Sequence, residues 1–147
     1  MADAYTVALT LLSARELSER QLRARLTRRK LDSEDIDHAI TRLKADGTLD
    51  DRRVARAIAR TESSIRRRGR ARVLQKVRQA GISESVAEEA LQEVFEDVDE
   101  GALLGAALSK RLRGHAARDL DDRSRARIVR GLMAQGFPLE AILKQLK

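Results

Sequence analysis

The sequence contains no cysteine, no tryptophan and only one proline, and aromatic residues make up 2% of it. Without cysteine the chain has neither a disulfide nor a thiolate metal ligand. Because β-branched runs are few and Leu, Ala and Arg are abundant, the composition favours helices over strands. Apolar residues still account for 42% of the 147 residues, which is enough for a buried core and excludes general disorder. We predict an all-α protein, either one compact domain or one short array.

Long hydrophobic runs are absent as well. The longest apolar runs, such as Val7 to Leu12 broken by Thr10, are far too short to span a bilayer. The first ten residues lack the basic segment that opens a secretory signal. We expect a cytoplasmic protein with no membrane segment.

Residue patterns that perform catalysis are scarce. The two histidines, His38 and His115, lie far apart in the sequence, so no histidine pair predicts a zinc site. Neither a P-loop nor a dinucleotide-binding glycine pattern occurs. Asp50–Asp51 and Asp121–Asp122 each precede a predicted helix, where capping is the favoured interpretation and metal coordination the alternative. We predict a binding protein that is not an enzyme and uses no metal or cofactor.

A spacing of 4, 5, 5 and 4 residues between apolar positions occurs three times, with periods of 51 and 55 residues. Steps of four keep two residues on one helix face and steps of five bridge a turn, so each copy predicts two helices joined tightly. Gly81 and Gly136 suit the left-handed position after a helix, which Lys30 takes in the first copy. The copies are Leu22, Leu26, Leu31, Ile36, Ile40; Val73, Val77, Ile82, Ala87, Leu91; and Ile128, Leu132, Phe137, Ile142, Leu146.

A further helix precedes each pair. We place these leading helices at about residues 4–13, 51–67 and 100–113. The predicted caps are Ser18 in a capping box with Gln21, Ser33, Ser83 and either Asp50 or Asp51, and Pro138 suits a first helical turn. Gly69 is expected to break the chain between two helices, and residues 114–124 to form a longer polar connection.

These elements predict about nine helices in three three-helix repeats, spanning residues 1–48, 49–97 and 98–147. Because a unit of this size is marginal alone, the repeats are expected to stack in a row. We therefore predict an elongated tandem array, with a compact nine-helix globule as the alternative.

The net charge of +7 is concentrated in the second repeat. Residues 52–78 hold eleven Arg or Lys and one acid, Glu62, whereas the rest of the chain holds nineteen basic and twenty-two acidic residues. Solvated helix faces usually mix charges of both signs. This excess indicates a surface for a polyanion or an acidic protein, with a membrane surface as a weaker option because aromatics are lacking.

A helical wheel of the basic segment, at about 100° per residue, gives it two faces. Val54, Ile58 and Ile65 form one stripe, which we expect to be buried, and four arginines lie opposite over about 20 Å. In the next helix Val73, Leu74 and Val77 face the core. The predicted contact set is Arg53, Arg56, Arg60, Arg67, Arg68, Arg70, Arg72 and Lys76.

Several segments, in order, carry a family resemblance. They are the opening ALTLLSARELSERQLRARL, the central LKADGTLDDRRVARAIA and RRRGRARVLQKVRQAGIS, and the closing ARIVRGLMAQGFPLEAILKQL. Together they resemble the RecX family of bacterial regulatory proteins, which modulate the RecA recombinase. The clearest match is the leucine–acid–acid–basic run formed by Leu49, Asp50, Asp51 and Arg52. Val54 and Lys30 depart from the family, which often has an aromatic residue and a glycine there.

The resemblance implies a non-enzymatic regulator made of three-helix repeats, which binds along the groove of the RecA filament on single-stranded DNA. It further implies inhibition of RecA ATP hydrolysis, strand exchange and coprotease activity in recombination and the SOS response. We expect a monomer. The residues alone leave two alternatives: a direct DNA-binding helical module acting through phosphate contacts, and a helical scaffold without nucleic-acid contact.

Overall fold

A computed structural model describes residues 3–147, and within that range the protein contains nine α-helices and no strand. The helices are α1 Ala4–Ala14, α2 Glu19–Arg28, α3 Ser33–Ala45, α4 Asp51–Arg60, α5 Arg70–Gln79, α6 Glu84–Phe95, α7 Glu100–Leu112, α8 Asp122–Ala134 and α9 Leu139–Gln145. A π-helix, Thr61–Ile65, follows α4, and a 3₁₀ turn, Ala117–Asp119, precedes α8. The predicted all-α class with nine helices is confirmed.

Short polar side chains start several of the helices. Ser18 and Gln21 form the predicted capping box at α2, and Asp50 caps α4 by accepting two backbone N–H bonds. Two predicted caps are wrong in detail. Asp32, not Ser33, stands at the N-cap of α3, and the Ser83 side chain accepts no capping hydrogen bond although it holds the N-cap of α6.

Each set of three consecutive helices encloses its own apolar core. One core belongs to α1–α3, a second to α4–α6 and a third to α7–α9. The 4, 5, 5, 4 positions lie in these cores, except that Leu31 is half-buried. The turn positions behave as expected for left-handed backbone: Gly81 and Gly136 have φ of 80° and 105°, and Lys30 adopts φ 62° without being glycine.

The π-helix changes which residues of the basic segment are buried. Its i→i+5 hydrogen bonds place one more residue in the turn than an α-helix has, so the faces rotate after Arg60. Ile65, expected in the buried stripe, is 77% exposed, whereas Glu62 and Ser63 are buried. The predicted continuous helix over 51–67 and its single arginine stripe are therefore wrong beyond Arg60.

Neighbouring repeats meet through the ends of their second helices. The Ser18 hydroxyl at the start of α2 donates to the Ala80 carbonyl at the end of α5. Likewise the Gly69 N–H at the start of α5 donates to the Gln135 carbonyl at the end of α8, at 2.8 Å. The helices α8, α5 and α2 thus follow one another end to end, with the partly negative end of one against the partly positive end of the next.

This arrangement is extended. The chain exposes 9562 Å², whereas a compact globular protein of this mass exposes about 7,500 Å². The excess, roughly a quarter, reflects three small cores in place of one and agrees with the predicted elongated array.

Candidate interaction surface

The leucine–acid–acid–basic run starts α4 from the edge of the first core. Leu49 is buried among the residues of that core. Asp50 Oδ1 then accepts the N–H groups of Arg52 at 3.0 Å and Arg53 at 3.3 Å. These two residues fix where the chain leaves the first repeat and where α4 begins.

The next two residues of the run connect α4 to its surroundings. Asp51 Oδ1 accepts the N–H of Glu19, 2.8 Å away in the first turn of α2, and so supplements the cap of a helix in the first repeat. Arg52 Nη1 lies 3.3 Å from a carboxylate oxygen of Glu89 on α6. The prediction that the Asp50–Asp51 pair caps helices is therefore confirmed.

The Arg53 side chain forms part of the contact between the first and second repeats. Its Nε and Nη2 donate to the two carboxylate oxygens of Glu16 at 2.8 and 3.0 Å. Nη1 and Nη2 also donate to the carbonyls of Gly47 and Thr48, each at 2.9 Å. The hydrogen bonds to Glu16 raise the pKa of the Arg53 guanidinium above its ordinary value. The charge of Arg53 is largely compensated within the protein.

The outer face of α4 lies opposite acidic residues of α6. Arg56 Nη1 is 3.9 Å from Glu93 Oε2, one turn along from the Arg52–Glu89 contact. Residues 79–97, which contain α6, hold six acidic residues and no basic one. Counting charges along the chain hides this compensation, because α4 and α6 are about thirty-five residues apart in sequence.

The positive charges of the remaining predicted contact residues are not offset by nearby carboxylates. Among residues 3–147, no carboxylate lies within 4.0 Å of their cationic groups. Arg72 Nη1 donates to the neutral Gln75 at 2.7 Å, and Arg70 lies 5.4 Å from the ring centre of Phe95. Arg67 adopts left-handed backbone with φ 54° in the turn that follows the π-helix. The residues with uncompensated charge are Arg60, Arg67, Arg68, Arg70, Arg72 and Lys76.

The predicted set thus divides into two groups. Arg53 and Arg56 face carboxylates of the protein itself, whereas the other six surround the turn and α5. The candidate surface for a partner is therefore the end of α4, the turn after the π-helix and α5.

Sequence reasoning missed a second group of cations, in the third repeat. Lys110, Arg111, Arg113 and Arg127 line a groove that also includes Arg66 and Arg68. The signal was present, because residues 98–147 hold ten basic and six acidic residues. It was hidden because these residues were summed with the acidic segments of the first two repeats.

The other candidate features lie apart from these surfaces. Asp121 caps α8 by accepting the Ser124 N–H at 2.7 Å, and this bond holds the pKa of its carboxyl below the ordinary value. No three His, Asp or Glu side chains of the described residues stand together as metal ligands would. His38 is exposed, and His115 lines the groove. Across residues 3–147, no helix has both the length and the apolar content needed to cross a bilayer.

Comparison with known proteins agrees with this architecture. Residues 4–43 match the family model for the first three-helix domain of RecX, and residues 50–91 match the model for the second. A protein of Syntrophotalea carbinolica named regulatory protein RecX is 34% identical over 135 residues, which cover 92% of this chain and 88% of that one.

Solved structures show the same fold. A crystal structure of RecX from Lactobacillus salivarius superposes with a TM-score of 0.84 at 20% identity, over 97% of this chain and 94% of that one. A crystal structure of regulatory protein RecX gives a TM-score of 0.81 at 24% identity, over 96% of this chain and 70% of that one. The resemblance drawn from the sequence is confirmed, and the chain belongs to the RecX family of regulatory proteins.

Proposed function

We propose that this protein is a non-enzymatic, cytoplasmic regulator that binds the RecA filament on single-stranded DNA as a monomer. It inhibits RecA ATP hydrolysis, and with it strand exchange and coprotease activity in recombination and the SOS response. Membership of the RecX family supports the regulatory role. The observation that carries the proposal is a set of six uncompensated cations on the middle unit of an extended three-unit array.

The array suits a partner that repeats along its length. A RecA filament presents the same surface at regular intervals, so several repeats of one molecule can bind successive protomers at once. Because hydrogen bonds join α2 to α5 and α5 to α8, the spacing between repeats is held within the protein. Less conformational freedom is then lost when the array binds.

Direct DNA binding through phosphates is the second candidate function. The uncompensated arginines around α5 favour it, since arginine donates two parallel hydrogen bonds to phosphate oxygens. In that case binding needs no RecA and weakens steeply with added salt.

An ATPase assay separates the two candidates. RecA hydrolyses ATP on circular single-stranded DNA while this protein is added at ratios well below one molecule per RecA protomer. We expect inhibition at such ratios, because one bound array affects a stretch of filament. Tight DNA binding with no effect on RecA would support the second candidate and reject the first.

Charge reversal assigns the surface. The variant Arg67→Glu, Arg72→Glu, Lys76→Glu removes uncompensated cations from the turn and α5, and it should lose inhibition at least tenfold. The matched control reverses Arg25, Arg28 and Arg29, which are exposed in the first repeat, and should inhibit like the unmodified protein. If both variants fold and inhibit equally, the basic surface only aids solubility, and the protein acts as a helical scaffold without nucleic-acid contact.

A further inference from the structure

A groove of about 710 Å³ lies where the second repeat meets the third. Six of its lining residues are cationic and none is acidic: Arg66 and Arg68 from the turn after the π-helix, Lys110, Arg111 and Arg113 from the end of α7, and Arg127 from α8. The groove is thus assembled from three separate parts of the chain. None of its third-repeat residues belongs to the contact set described above.

Arg111 is held in place by neutral groups. Its Nε and Nη2 both donate to Gln135 Oε1, at 3.0 and 2.8 Å. Its guanidinium lies over Gly131, where a Cβ atom would be 2.5 Å from the Arg111 Cζ. The glycine gives the guanidinium space and the glutamine orients it, yet neither offsets its charge. Arg111 is therefore positioned in advance for an anion, unlike Arg53, which is paired with Glu16.

The second repeat adds its two cations through the π-helix. The Arg66 and Arg68 N–H groups donate to the carbonyls of Thr61 at 3.1 Å and Glu62 at 2.9 Å, which fixes the turn. Arg66 Nε lies 3.8 Å from the buried Glu62 carboxylate and is partly compensated, whereas Arg68 is not. The hydrogen bond from Gly69 to the Gln135 carbonyl holds this turn against the residue that orients Arg111.

The chemistry of the lining identifies the class of ligand. Arginine guanidinium groups match phosphate oxygens with two parallel hydrogen bonds. Phe, Tyr and Trp are absent from the lining, so the groove lacks the large aromatic side chains that serve as base-stacking platforms and as anchors in protein interfaces. Two carboxylates lie near the lining cations: Glu62 beside Arg66, and Asp121, which caps α8 and interacts with Arg127. An open groove with several cations and no large aromatic side chain fits a chain of phosphates that is bound without regard to base sequence.

We propose that this groove binds the phosphodiester backbone of a single nucleic-acid strand, at the junction of the second and third repeats. The contacts come from Arg68, Arg111 and Arg127, with Lys110, Arg113 and Arg66 supplementing them. The assignment is independent of the proposed action on RecA, because it concerns binding by the protein alone.

A fluorescent reporter in the groove tests the proposal. The chain has no cysteine, so His115→Cys in the full-length protein offers a single site for an environment-sensitive dye. The labelled protein is titrated with an oligothymidylate of about a dozen nucleotides at several salt concentrations, without RecA. We expect a saturable fluorescence change and a linear fall of log K with log salt.

Paired variants locate the contacts in the labelled protein. Arg111→Ala with Arg127→Ala should weaken binding at least tenfold at low salt and reduce the salt slope by about 1.4, or about 0.7 for each lost phosphate contact on a single strand. Arg25→Ala with Arg28→Ala removes the same charge from the first repeat. We expect this pair to change the affinity and the salt slope little. If the first pair does not fold, Lys110→Ala with Arg113→Ala replaces it, since both side chains are exposed.

Three results would overturn the proposal. The first is that fluorescence polarisation of the oligonucleotide shows DNA binding while the fluorescence of the dye at position 115 does not change. Another is an equal loss of affinity in the groove pair and the first-repeat pair. The third is displacement of the oligonucleotide by poly-glutamate at equal charge concentration, which would assign the groove to an acidic protein segment. Because RecA is absent throughout, none of these results bears on the ATPase prediction.

Discussion

Glycine occupies the places where two repeats touch, because the backbones there leave no room for a side chain. A Cβ on Gly136 would lie 2.5 Å from the Arg72 nitrogen and 2.6 Å from the Gly69 oxygen. Gly69 faces the same contact from the other repeat, with a Cβ position 2.6 Å from the Gly136 carbonyl carbon. Gly136 also needs φ 105°, which side chains disfavour. The sequence predicted the left-handed turn at Gly136 but not the neighbour that presses against it.

Gly136→Ala should therefore destabilise the protein more than a left-handed backbone alone explains. We expect a loss of about 3 kcal/mol or more, from backbone strain together with displacement of the contact between repeats. Gly47→Ala is the matched control, because Gly47 has φ 80° and nothing lies within 4 Å of its Cβ position. It should cost about 1 kcal/mol. Urea unfolding followed by helical circular dichroism measures both, and equal losses would contradict the close contact.

Arg53 illustrates how a predicted contact residue can serve the fold instead. The sequence placed it correctly among the outward-facing arginines of α4 but gave no sign of Glu16, 37 positions earlier. Side chains so far apart in sequence are brought together only by the packing of one repeat on the next.

A double-mutant cycle with Arg53→Ala and Glu16→Ala should give a coupling of about 0.5 kcal/mol, since both side chains are about two-fifths exposed and solvent weakens the pair. Arg53→Ala alone should cost about 1 kcal/mol, because two carbonyls also lose a donor. Arg60→Ala, without such partners, should stay within about 0.5 kcal/mol of the unmodified protein. A coupling energy of zero between Arg53 and Glu16 in unfolding experiments would show that this ion pair does not stabilise the contact between the first two repeats.

At the scale of elements, the π-helix is what the sequence did not reveal. A wheel at a constant angle per residue cannot detect an added residue in one turn, and so it placed Ile65, which is exposed, in the buried stripe. The other helices followed from apolar spacing and caps, because each is short and carries one clear apolar face. The π-helix also ends α4 early and so places Arg66 and Arg68 in the groove.

Two isoleucine substitutions in the second repeat test whether the π-helix changes which side chains are buried after Arg60. Ile65→Ala should change the free energy of unfolding by less than about 0.5 kcal/mol, because the side chain is already 77% exposed. Ile82→Ala removes the same atoms from a side chain that is 5% exposed, and should cost about 2–5 kcal/mol. A large loss at position 65 in chemical denaturation would mean that α4 continues as a regular α-helix and buries Ile65.

For the whole molecule, the periodic 4, 5, 5, 4 spacing was sufficient to predict three repeats, because every copy needs the same apolar face. The contacts between repeats were not predictable, since Ser18 meets Ala80 and Gly69 meets Gln135 across more than sixty residues. The divisions after residues 48 and 97 stay a prediction. Leu49 packs in the first core and Val98 against the second, so we propose that each division falls one residue later.

Solution scattering should show the extended shape directly. A compact protein of 147 residues has a radius of gyration of about 15 Å, whereas α2, α5 and α8 laid end to end would span about 50 Å at the helical rise. We expect a radius several ångströms above the compact value, independent of protein concentration as for a monomer. A value near 15 Å would favour the compact globule.

We propose that the basic surface on the middle repeat of this array binds the RecA filament. The most direct test is the binding of dye-labelled protein to RecA filaments preassembled on single-stranded DNA with a slowly hydrolysed ATP analogue, followed by fluorescence polarisation. We predict saturable binding that is tighter than binding to the bare DNA, weakened at least tenfold by Arg67→Glu, Arg72→Glu, Lys76→Glu and unchanged by the first-repeat control. Binding no tighter than to bare DNA, or equal binding by both folded variants, would contradict it.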